Sequence, residues 1–283
     1  MGIEIRGAPV AKAIREQVAQ DVLRWQQKAI HPRLAVVLAS NDPASVEYAR
    51  SKQKTALTLG IDLPLHDLGA AATQVELEGM LNELSADPKV HGILLEFPLA
   101  PGLDGEAALA CIDPLKDVDG LTLTNLGRVA AGQEHSALTA ATPQACIELA
   151  ETQGPLAGKR VAVIGRGKTV GRPLLNMLVN RHATVTVCHS QTRDLAAAVR
   201  DCEIVFVAIG KAQAIGNEVL RAGQIVIDAG INVVGEKIVG DVAQSADSGL
   251  AAWTPVPGGV GPVTSAIIFR NLLRALTLQS KGG

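Results

Sequence analysis

A tyrosine and a lysine in the first quarter of the chain could perform acid–base chemistry. Tyr48 and Lys52 lie four residues apart on a predicted helix, so they share one face and project together. A phenol and an amine held side by side can transfer protons to or from a bound substrate. A solvated surface pair with no chemical role has the same spacing, and the spacing alone does not separate the two interpretations.

Three acidic residues follow at places where ligand sites commonly form. The apolar run His91–Pro98 predicts a strand whose end delivers Glu96, and open α/β sheets bind ligands beyond the carboxyl ends of their strands. We expect Glu96 and Lys52 to meet, one from a strand end and the other from a helix face. A polar loop downstream holds Asp117 and Asp119. Acids in such loops also cap backbone amides, and this alternative stays open for both.

A glycine turn in the second half predicts an anion site. Val161–Ile164 is a short apolar run typical of a buried parallel strand, Gly165–Gly167 forms a tight turn, and Val170–Asn180 is predicted to be a helix. The unpaired amides and positive dipole end of that helix would face a ligand over the turn. The spacing to Gly171 is one residue longer than the common dinucleotide fingerprint, so a turn that only packs a helix on a sheet is the alternative. Further apolar runs at α/β spacing favour the nucleotide site: Ala183–Cys188, Glu203–Gly210 and Gln224–Gly230.

Periodicity and turn signals predict the elements that position these residues. A proline- and glycine-rich stretch, Trp253–Thr264, is predicted to be a shaped loop that could approach a ligand closely. The other predicted elements are a helix over Val10–Trp25, a strand over Leu34–Leu38, a helix from Asp42-Pro43 to Leu59 ended by Gly60, a strand over Leu63–Leu68, a helix from the capping box at Thr73 to Ala86, a helix capped by Thr142 and ending at Gly154, a hairpin around Gly235, and a last helix over Val263–Leu278.

Composition limits the classes of function. At 283 residues two domains are expected, and a 47% hydrophobic content supports a substantial core. A formal net charge of −2 gives no basic field for nucleic acid. No apolar run has membrane-spanning length and no signal-peptide pattern opens the chain, so we expect a cytoplasmic protein without a membrane partner. The four cysteines are widely separated and no histidines are paired, so no metal site is expected.

Taken in order, these stretches resemble the bifunctional methylenetetrahydrofolate dehydrogenase/cyclohydrolase family, and the resemblance covers nearly the whole chain. Each stretch alone is moderately specific, whereas the ordered set is highly specific. The stretches are Asp42–Tyr48 with Lys52, Gly92–Pro98, Lys116–Gly120, Gly165–Pro173, His189-Ser190, Ile227–Asn232 and Pro255–Pro262.

The resemblance implies two α/β domains with a cleft between them. The catalytic, folate-binding domain would comprise residues 1–140 and 263–283, and a Rossmann-like, parallel-sheet domain over 141–262 would bind NADP. Members oxidise 5,10-methylenetetrahydrofolate to the methenyl cation, pass the hydride to NADP, and hydrolyse the cation to 10-formyltetrahydrofolate, which serves one-carbon metabolism and purine biosynthesis. The family also suggests a homodimer whose partners are tetrahydrofolate one-carbon derivatives.

The resemblance also assigns roles to residues. Tyr48 would pack against the aminobenzoate ring of the folate, Lys52 would be the acid–base residue, and Asp119 would hold the pterin, so that these three and Glu96 form the catalytic set. Further substrate contacts would come from Leu95, Glu96, Phe97, Pro257, Gly258, Gly259, Val260 and Gly261. The cofactor would be lined by Gly165, Arg166, Gly167, Ser190 and Ile231.

Cofactor choice has a physical argument of its own. NAD enzymes carry an acid after the second strand of the fold, where it binds the ribose 2′-hydroxyl. Here His189-Ser190 follows the corresponding run, and Arg166 and Arg193 are near in sequence. This pattern favours a 2′-phosphate, and therefore NADP over NAD.

Glu96 departs from the family, which usually has glutamine at this place. A carboxylate beside Lys52 would favour its ammonium form and weaken it as a base. It would also stabilise the methenyl cation and slow its hydrolysis if the ground state gained more than the transition state. Hydride transfer depends less on Lys52, so we expect the dehydrogenase activity to be better preserved than the cyclohydrolase activity.

Two other functions fit parts of the sequence. Tyr48-x-x-x-Lys52 is also the catalytic spacing of short-chain dehydrogenases, but their glycine turn precedes the tyrosine, whereas here Gly165 follows it by more than a hundred residues. A non-catalytic or monofunctional folate- or nucleotide-binding paralogue is the second alternative. Retention of Tyr48, Lys52 and Asp119 together argues against it.

Overall fold

The chain folds into two compact units in a computed structural model that describes residues 2–243 and 249–281. Residues 1, 244–248 and 282–283 belong to the expected domains but lie outside the described residues. One unit, here called the N-terminal unit, comprises Ala13–Thr139 and Ile268–Gly283. The other, here called the glycine-turn unit, comprises Met1–Lys12 and Ala140–Ile267.

The described elements alternate between strand and helix along most of the chain. In chain order they are β1 (Ile3–Glu4), α1 (Gly7–Gln26), β2 (Leu34–Leu38), α2 (Pro43–Leu59), β3 (Leu65–Asp67), α3 (Gln74–Ala86), β4 (Gly92–Leu95), α4 (Gly105–Ala110), α5 (Leu123–Ala130), a 3-10 turn (Glu134–Ser136), α6 (Ala141–Glu151), β5 (Arg160–Ile164), α7 (Gly171–Asn180), β6 (Thr184–Cys188), α8 (Leu195–Val199), β7 (Ile204–Val207), β8 (Ile225–Asp228), β9 (Asn232–Val234), β10 (Lys237–Val239), β11 (Ala252–Trp253) and α9 (Val260–Gln279).

The N-terminal unit has a parallel sheet in the order β3-β2-β4. All of β2 and β4 is buried, as expected of strands covered on both faces. Local signals set the helix ends: Asp42 accepts from the amide of Ser45 and starts α2, and Gly60 ends it in a left-handed conformation. The capping box predicted at Thr73 is present and starts α3.

The glycine-turn unit has a parallel sheet in the order β1-β11-β8-β7-β5-β6. The chain runs from β5 to β6 on one side and then returns to place β7 on the other side of β5. The strand order therefore reverses between β5 and β7, and such a point is where open α/β sheets bind ligands. The predicted α/β class with two domains, the second Rossmann-like, is confirmed.

Two predicted helix starts were wrong. The helix assigned to a Thr142 cap begins earlier: Ala140 is the cap, with no side-chain hydrogen bond, and Thr142 lies in the first turn. The last helix begins at Val260 rather than Val263, so the predicted loop ends earlier than its composition indicated. Pro262 is tolerated there because an amide in the first turn of a helix has no intrahelical partner.

The domain limits remain a prediction. The boundaries between the two compact units lie within α1 and α9. Residues 1–12, which were predicted in the folate-binding domain, belong to the glycine-turn unit. Residues 1–12 belong there because β1 pairs with a strand of that unit: β1 runs parallel to β11, with Ile3 opposite Ala252 and Glu4 opposite Trp253. Among the described residues no helix is long and apolar enough to cross a membrane.

The C-terminal part of α9 is fixed within the N-terminal unit by a buried amide. Asn271 is 2% exposed, and its Nδ2 donates to the carbonyl oxygens of Val118 and Thr139 at 2.8 and 3.0 Å. Val118 belongs to the loop that carries both aspartates, so this contact connects α9 to the candidate site.

Asn271→Ala should therefore lower the free energy of unfolding by about 1–3 kcal/mol, because two buried carbonyl groups lose their donor. Thr277→Ala is the matched control on the same helix, since Thr277 is exposed and its hydroxyl donates to the carbonyl of Leu273 within the helix. Urea denaturation of both variants measures the difference. Equal stability of the two variants would contradict the anchoring role.

Candidate active site

Lys52 and Glu96 form a short ion pair in the N-terminal unit. Lys52 projects from α2 and Glu96 follows the last residue of β4, and their Nζ and Oε1 atoms are 2.6 Å apart. Each side chain is only 11% exposed. The pair is therefore sheltered from water, where a charge-assisted hydrogen bond is stronger than on an open surface. The alternative of a solvated lysine is wrong for Lys52.

Tyr48 lies one helical turn before Lys52 and is 40% exposed. Its ring centroid is 6.0 Å from Lys52 Nζ, at the outer limit of a cation–π contact. An exposed aromatic ring next to a buried charge offers a flat apolar surface to a ligand that reaches the ion pair. The structure thus brings three of the sequence-predicted site residues together: Tyr48, Lys52 and Glu96.

The loop that carries the two aspartates is held by buried polar contacts. Lys116 is buried, and its Nζ donates to the carbonyl oxygens of Leu84, Ser85 and Asp87 at the end of α3, at 3.3, 2.7 and 2.7 Å. Burial lowers the pKa of this lysine. With its ammonium group occupied by carbonyls, Lys116 fixes the start of the loop rather than serving a ligand.

Asp117 and Asp119 have different roles in this loop. Asp117 is buried and accepts hydrogen bonds from the amides of Gly120 and Thr122 and from the side chain of Asn125. The capping alternative therefore holds for Asp117. Asp119 keeps some exposed surface, and within the described residues no hydrogen-bond donor contacts its carboxyl group. Only Asp119 is left to bind a ligand.

Asp119 lies in a negative environment. Burial of its carboxyl group, together with the charges of Asp117 and Glu96, raises its pKa from 3.8 to about 7, while Lys52 acts in the opposite direction. Near neutral pH the group is divided between its acid and its carboxylate form. It can therefore change its charge state when a ligand presents donors.

Two predicted substrate residues flank Glu96 in sequence but differ in exposure. Leu95 is buried and packs in the core cluster around β2 and β4. Phe97 is 37% exposed, and its carbonyl accepts from the hydroxyl of Ser45 in α2 at 3.3 Å. The side chain of Phe97, unlike that of Leu95, is accessible to a ligand.

The glycine turn after β5 has the shape of a phosphate cradle. A Cβ atom added at Gly165 would overlap the carbonyl oxygen of Ala208, and one added at Gly171 would overlap that of Gly165, so both must be glycine. A Cβ at Gly167 would instead face open space. The next helix, α7, has no side-chain cap and no acid in its first turn, so its positive dipole end can face an anion. Of its first amides, that of Arg172 already donates to the carbonyl of Gly167 and Pro173 has none, which leaves the amide of Gly171. The turn fits a dinucleotide pyrophosphate.

The remaining predicted cofactor residues lie in loops of the same unit. Arg166 is in the turn after β5 and exposed, Ser190 is exposed in the loop after β6, and Ile231, which follows β8, is 53% exposed. The loop after β6 is a tight turn in which the amide of His189 donates to the hydroxyl of Thr192. No acidic side chain occupies its first positions, in agreement with the argument for a 2′-phosphate.

The proline- and glycine-rich loop belongs to the glycine-turn unit and not to the unit that contains Lys52. Gly258 has a φ of 106° and accepts from the amide of Gly7 at 2.8 Å, so this backbone is tightly placed. Pro257 and Gly258 are exposed, whereas Gly259 and Val260 are buried. Val260 and Gly261, predicted in the loop, are the first residues of α9.

One feature of the glycine-turn unit was missed by the sequence interpretation. Asp228 and Asp241 are two buried aspartates near the carboxyl ends of β7 and β8, and both accept hydrogen bonds from backbone amides. Asp228 lies in the Ile227–Asn232 stretch that carries part of the resemblance, but no role was assigned to it, and the signal at Asp241 was only a glycine next to an acid, Gly240-Asp241, a few residues after the hairpin predicted around Gly235. A Gly-Asp pair occurs in many ordinary turns, so it gave no distinct prediction.

Comparison with known proteins agrees with the chemistry of both units. Residues 5–119 match the sequence model of the tetrahydrofolate dehydrogenase/cyclohydrolase catalytic domain, and residues 140–280 match that of the NAD(P)-binding domain of the same family. The chain is 50% identical over 278 residues to the bifunctional protein FolD of Deinococcus radiodurans, covering 96% of this chain and 92% of that protein. It is 48% identical to the FolD of Heliobacterium modesticaldum, covering 97% and 96%.

Solved structures give the same result. The bifunctional FolD of Campylobacter jejuni superposes with a TM-score of 0.93 at 34% identity, covering 99% of this chain and 100% of the other. The Trypanosoma brucei enzyme, crystallised with NADP and an inhibitor, gives 0.92 at 35% identity and covers 99% of each chain. The short-chain dehydrogenase alternative is therefore wrong, and this chain belongs to the tetrahydrofolate dehydrogenase/cyclohydrolase family.

Proposed function

We propose that this chain oxidises 5,10-methylenetetrahydrofolate to 5,10-methenyltetrahydrofolate with NADP and hydrolyses the product to 10-formyltetrahydrofolate. The observation that carries the proposal is the sheltered Lys52–Glu96 pair, 2.6 Å long, with Asp119 close enough to feel both charges. The family match over both domain types and the NADP complex of the Trypanosoma brucei relative support it.

The N-terminal unit would bind and protonate the folate. The exposed ring of Tyr48 would stack on the aminobenzoate group, and the carboxylate of Asp119 would accept from the amino and ring N–H donors of the pterin. Lys52 Nζ would hold or transfer a proton as water adds to the methenyl carbon. Glu96 would set the charge of Lys52 and lie near the cationic carbon.

The glycine-turn unit would hold the cofactor. The amides of Arg166, Gly167 and Gly171 would bind the pyrophosphate, because the amide of Gly165 already donates to the carbonyl of Cys188. The side chains of Arg166 and Ser190 would bind the 2′-phosphate, and Ile231 would pack on the cofactor. NADP supplies the hydride acceptor when it is bound, so the protein's part in oxidation is mainly positioning.

A cytoplasmic location and a homodimer are also proposed, the homodimer on the strength of the family resemblance alone. Sedimentation of the purified protein over a range of concentrations tests the second: a mass of one chain throughout would contradict it.

The first prediction from the proposed function concerns cofactor choice. Wild-type kcat/KM should be at least about tenfold higher with NADP than with NAD, which corresponds to roughly 1.4 kcal/mol from one charge-assisted phosphate contact. Arg166→Ala should narrow this ratio by raising KM for NADP. Arg24→Ala, an exposed arginine of α1 paired with Asp21, should leave it unchanged. Equal efficiency of the wild type with the two cofactors would refute the assignment.

The second prediction concerns Asp119. Asp119→Asn should raise KM for the folate about tenfold or more, because a charge-assisted acceptor for the pterin is lost, and leave NADP affinity within about twofold. Asp113→Asn is the matched control, since Asp113 lies at the start of the same loop and accepts from the amide of Leu115. Calorimetry with NADP and steady-state kinetics with the folate separate the two effects. Loss of NADP affinity along with folate turnover would show that Asp119 is structural.

The pKa of Asp119 adds a pH dependence. Its folded value of about 7 lies above its ordinary 3.8, so its contribution to the stability of the free protein is present below 3.8 and lost as the pH rises through about 7. Folate binding requires the carboxylate, so affinity should increase from about pH 6 to pH 8 in the wild type. Asp119→Asn should flatten this profile, and an unchanged profile would mean that another group titrates.

The third prediction concerns Glu96. We expect measurable dehydrogenase activity and low cyclohydrolase activity at neutral pH, because the 2.6 Å contact with Glu96 engages the amine of Lys52 that hydrolysis would use. Glu96→Gln should raise the rate of hydrolysis more than the rate of oxidation. The two half-reactions are measured separately, with isolated methenyltetrahydrofolate for hydrolysis. Glu83→Gln, exposed on α3, is the control for a change of charge alone.

The opposite result has a definite meaning. If wild-type hydrolysis is fast and falls in Glu96→Gln, Glu96 is itself the base that activates water, and its proposed effect on Lys52 is wrong. If the wild type shows neither half-reaction, the proposed function fails and the non-catalytic alternative replaces it.

A further inference from the structure

The loop after β7 forms one wall of the crevice where the cofactor would bind. The strand order of the glycine-turn unit reverses between β5 and β7, and the carboxyl ends of these two strands border the crevice. The glycine turn follows β5, and residues 208–211 follow β7. These walls are in contact, since any side chain at Gly165 would overlap the carbonyl oxygen of Ala208.

A single buried carboxylate holds the wall after β7. Asp241, with an exposed fraction of 0%, accepts from the consecutive amides of Ile209, Gly210 and Lys211 at 2.7, 2.9 and 2.9 Å. Its Oδ1 also accepts from the side chain of Asn232 at 2.9 Å. Asn232 is the first residue of β9 and directly follows Ile231 in the connection after β8, so one carboxylate links the segments that follow β7 and β8.

A second buried acid, Asp228, holds Asp241 in place. Asp228 accepts from the amides of Gly230, Asp241 and Val242 at 2.8, 3.2 and 2.9 Å. Burial raises the pKa of Asp228 to about 6, with hydrogen bonds from these amides opposing the shift. A Cβ atom added at Gly230 would overlap the carboxyl group of Asp241. The position of Asp241 is thus fixed from several sides.

We propose that Asp241 is a positioning residue for the nicotinamide cofactor, an inference that rests on the proposed function. It does not touch the cofactor. It holds the β7 loop and the Ile231–Asn232 loop in one arrangement, so that the walls of the crevice are preformed before binding. Because its carboxylate engages the amides of residues 209–211, the loop can offer the cofactor only carbonyl oxygens and side chains.

Asp241→Asn tests this inference with little change of shape. One carboxylate oxygen becomes an NH2 group, which cannot accept from the amides it then faces, so part of the loop is released. The Kd of NADP, measured by calorimetry, should rise at least about tenfold, and KM for NADP should rise in parallel. The kcat at saturating NADP should stay within about threefold, because the reacting groups themselves are unchanged.

Glu203→Gln is the matched control. Glu203 lies just before β7, at the opposite end of the strand, and bonds Lys159 and the amide of Arg160. It should lose some stability and keep the Kd of NADP within about twofold of the wild type. Asn232→Ala, which removes the side-chain donor but leaves the backbone amides in place, should weaken NADP binding by a smaller factor than Asp241→Asn.

Two outcomes would overturn the inference. One is an unchanged Kd of NADP in folded Asp241→Asn. The other is a fall in kcat with KM for NADP unchanged, which indicates a smaller fraction of active protein and a purely structural acid. If Asp241→Asn does not fold, unchanged NADP affinity in Asn232→Ala refutes the proposal. The Kd of NADP is measured without folate turnover, so failure of the proposed function would be recognised separately in the wild type.

Discussion

A buried charge must be satisfied by groups that the fold itself supplies, and this requirement organises both units. Lys116 and Asp117 are adjacent, buried and of opposite charge, yet each bonds neutral groups: the lysine three carbonyls, and the aspartate two amides and a side-chain amide. In both cases the charge is used to fix a loop in place. The loop then presents Asp119, whose carboxyl group, unlike those of Asp113 and Asp117 in the same loop, has no such partner within the described residues. The carboxyl group of Asp119 remains available to a ligand because its neighbours bond the backbone in its place.

Lys52 and Glu96 satisfy the same requirement in a different way. Each is the other's partner, so neither is fixed by the backbone, and a ligand or a proton can change the pair. Such a pair is weak evidence for stability, because desolvation of the two ions offsets their attraction. Its value is chemical. Both charges of the pair act on Asp119: Glu96 raises the pKa of that carboxyl group and Lys52 lowers it.

Features encoded locally were predictable from the sequence, and features that depend on distant residues were not. Asp42, Gly60 and Thr73 were correctly identified as helix ends because a cap contacts amides or carbonyls only a few residues away. The strand pair β1 and β11 was missed because each strand has two residues and its partner is far along the chain. The start of α9 was misplaced because proline is excluded from helix interiors but not from first turns.

The candidate site shows the same division. Residue types and motif order identified the reactive groups, and the contact between Lys52 and Glu96 follows from a helix face and a strand end. The sequence could not show which of Asp117 and Asp119 binds a ligand, because only the folded contacts decide which of the two carboxylates accepts hydrogen bonds from backbone amides. It could not reveal Asp241 either, whose backbone donors lie about thirty residues earlier in the chain.

The way the chain is shared between the units has a consequence for biosynthesis. Neither unit is a continuous segment: the glycine-turn unit needs residues 1–12 as well as 140–267, and the N-terminal unit needs the last residues, 268–283. The N-terminal unit therefore cannot be completed until α9 has been synthesised, even though most of that unit is made before the glycine-turn unit. Simple domain-by-domain folding during translation does not apply to it. Until α9 is made, the apolar surface that receives it stays uncovered, and fragments cut between the two sheets lack an element that they need to close their core.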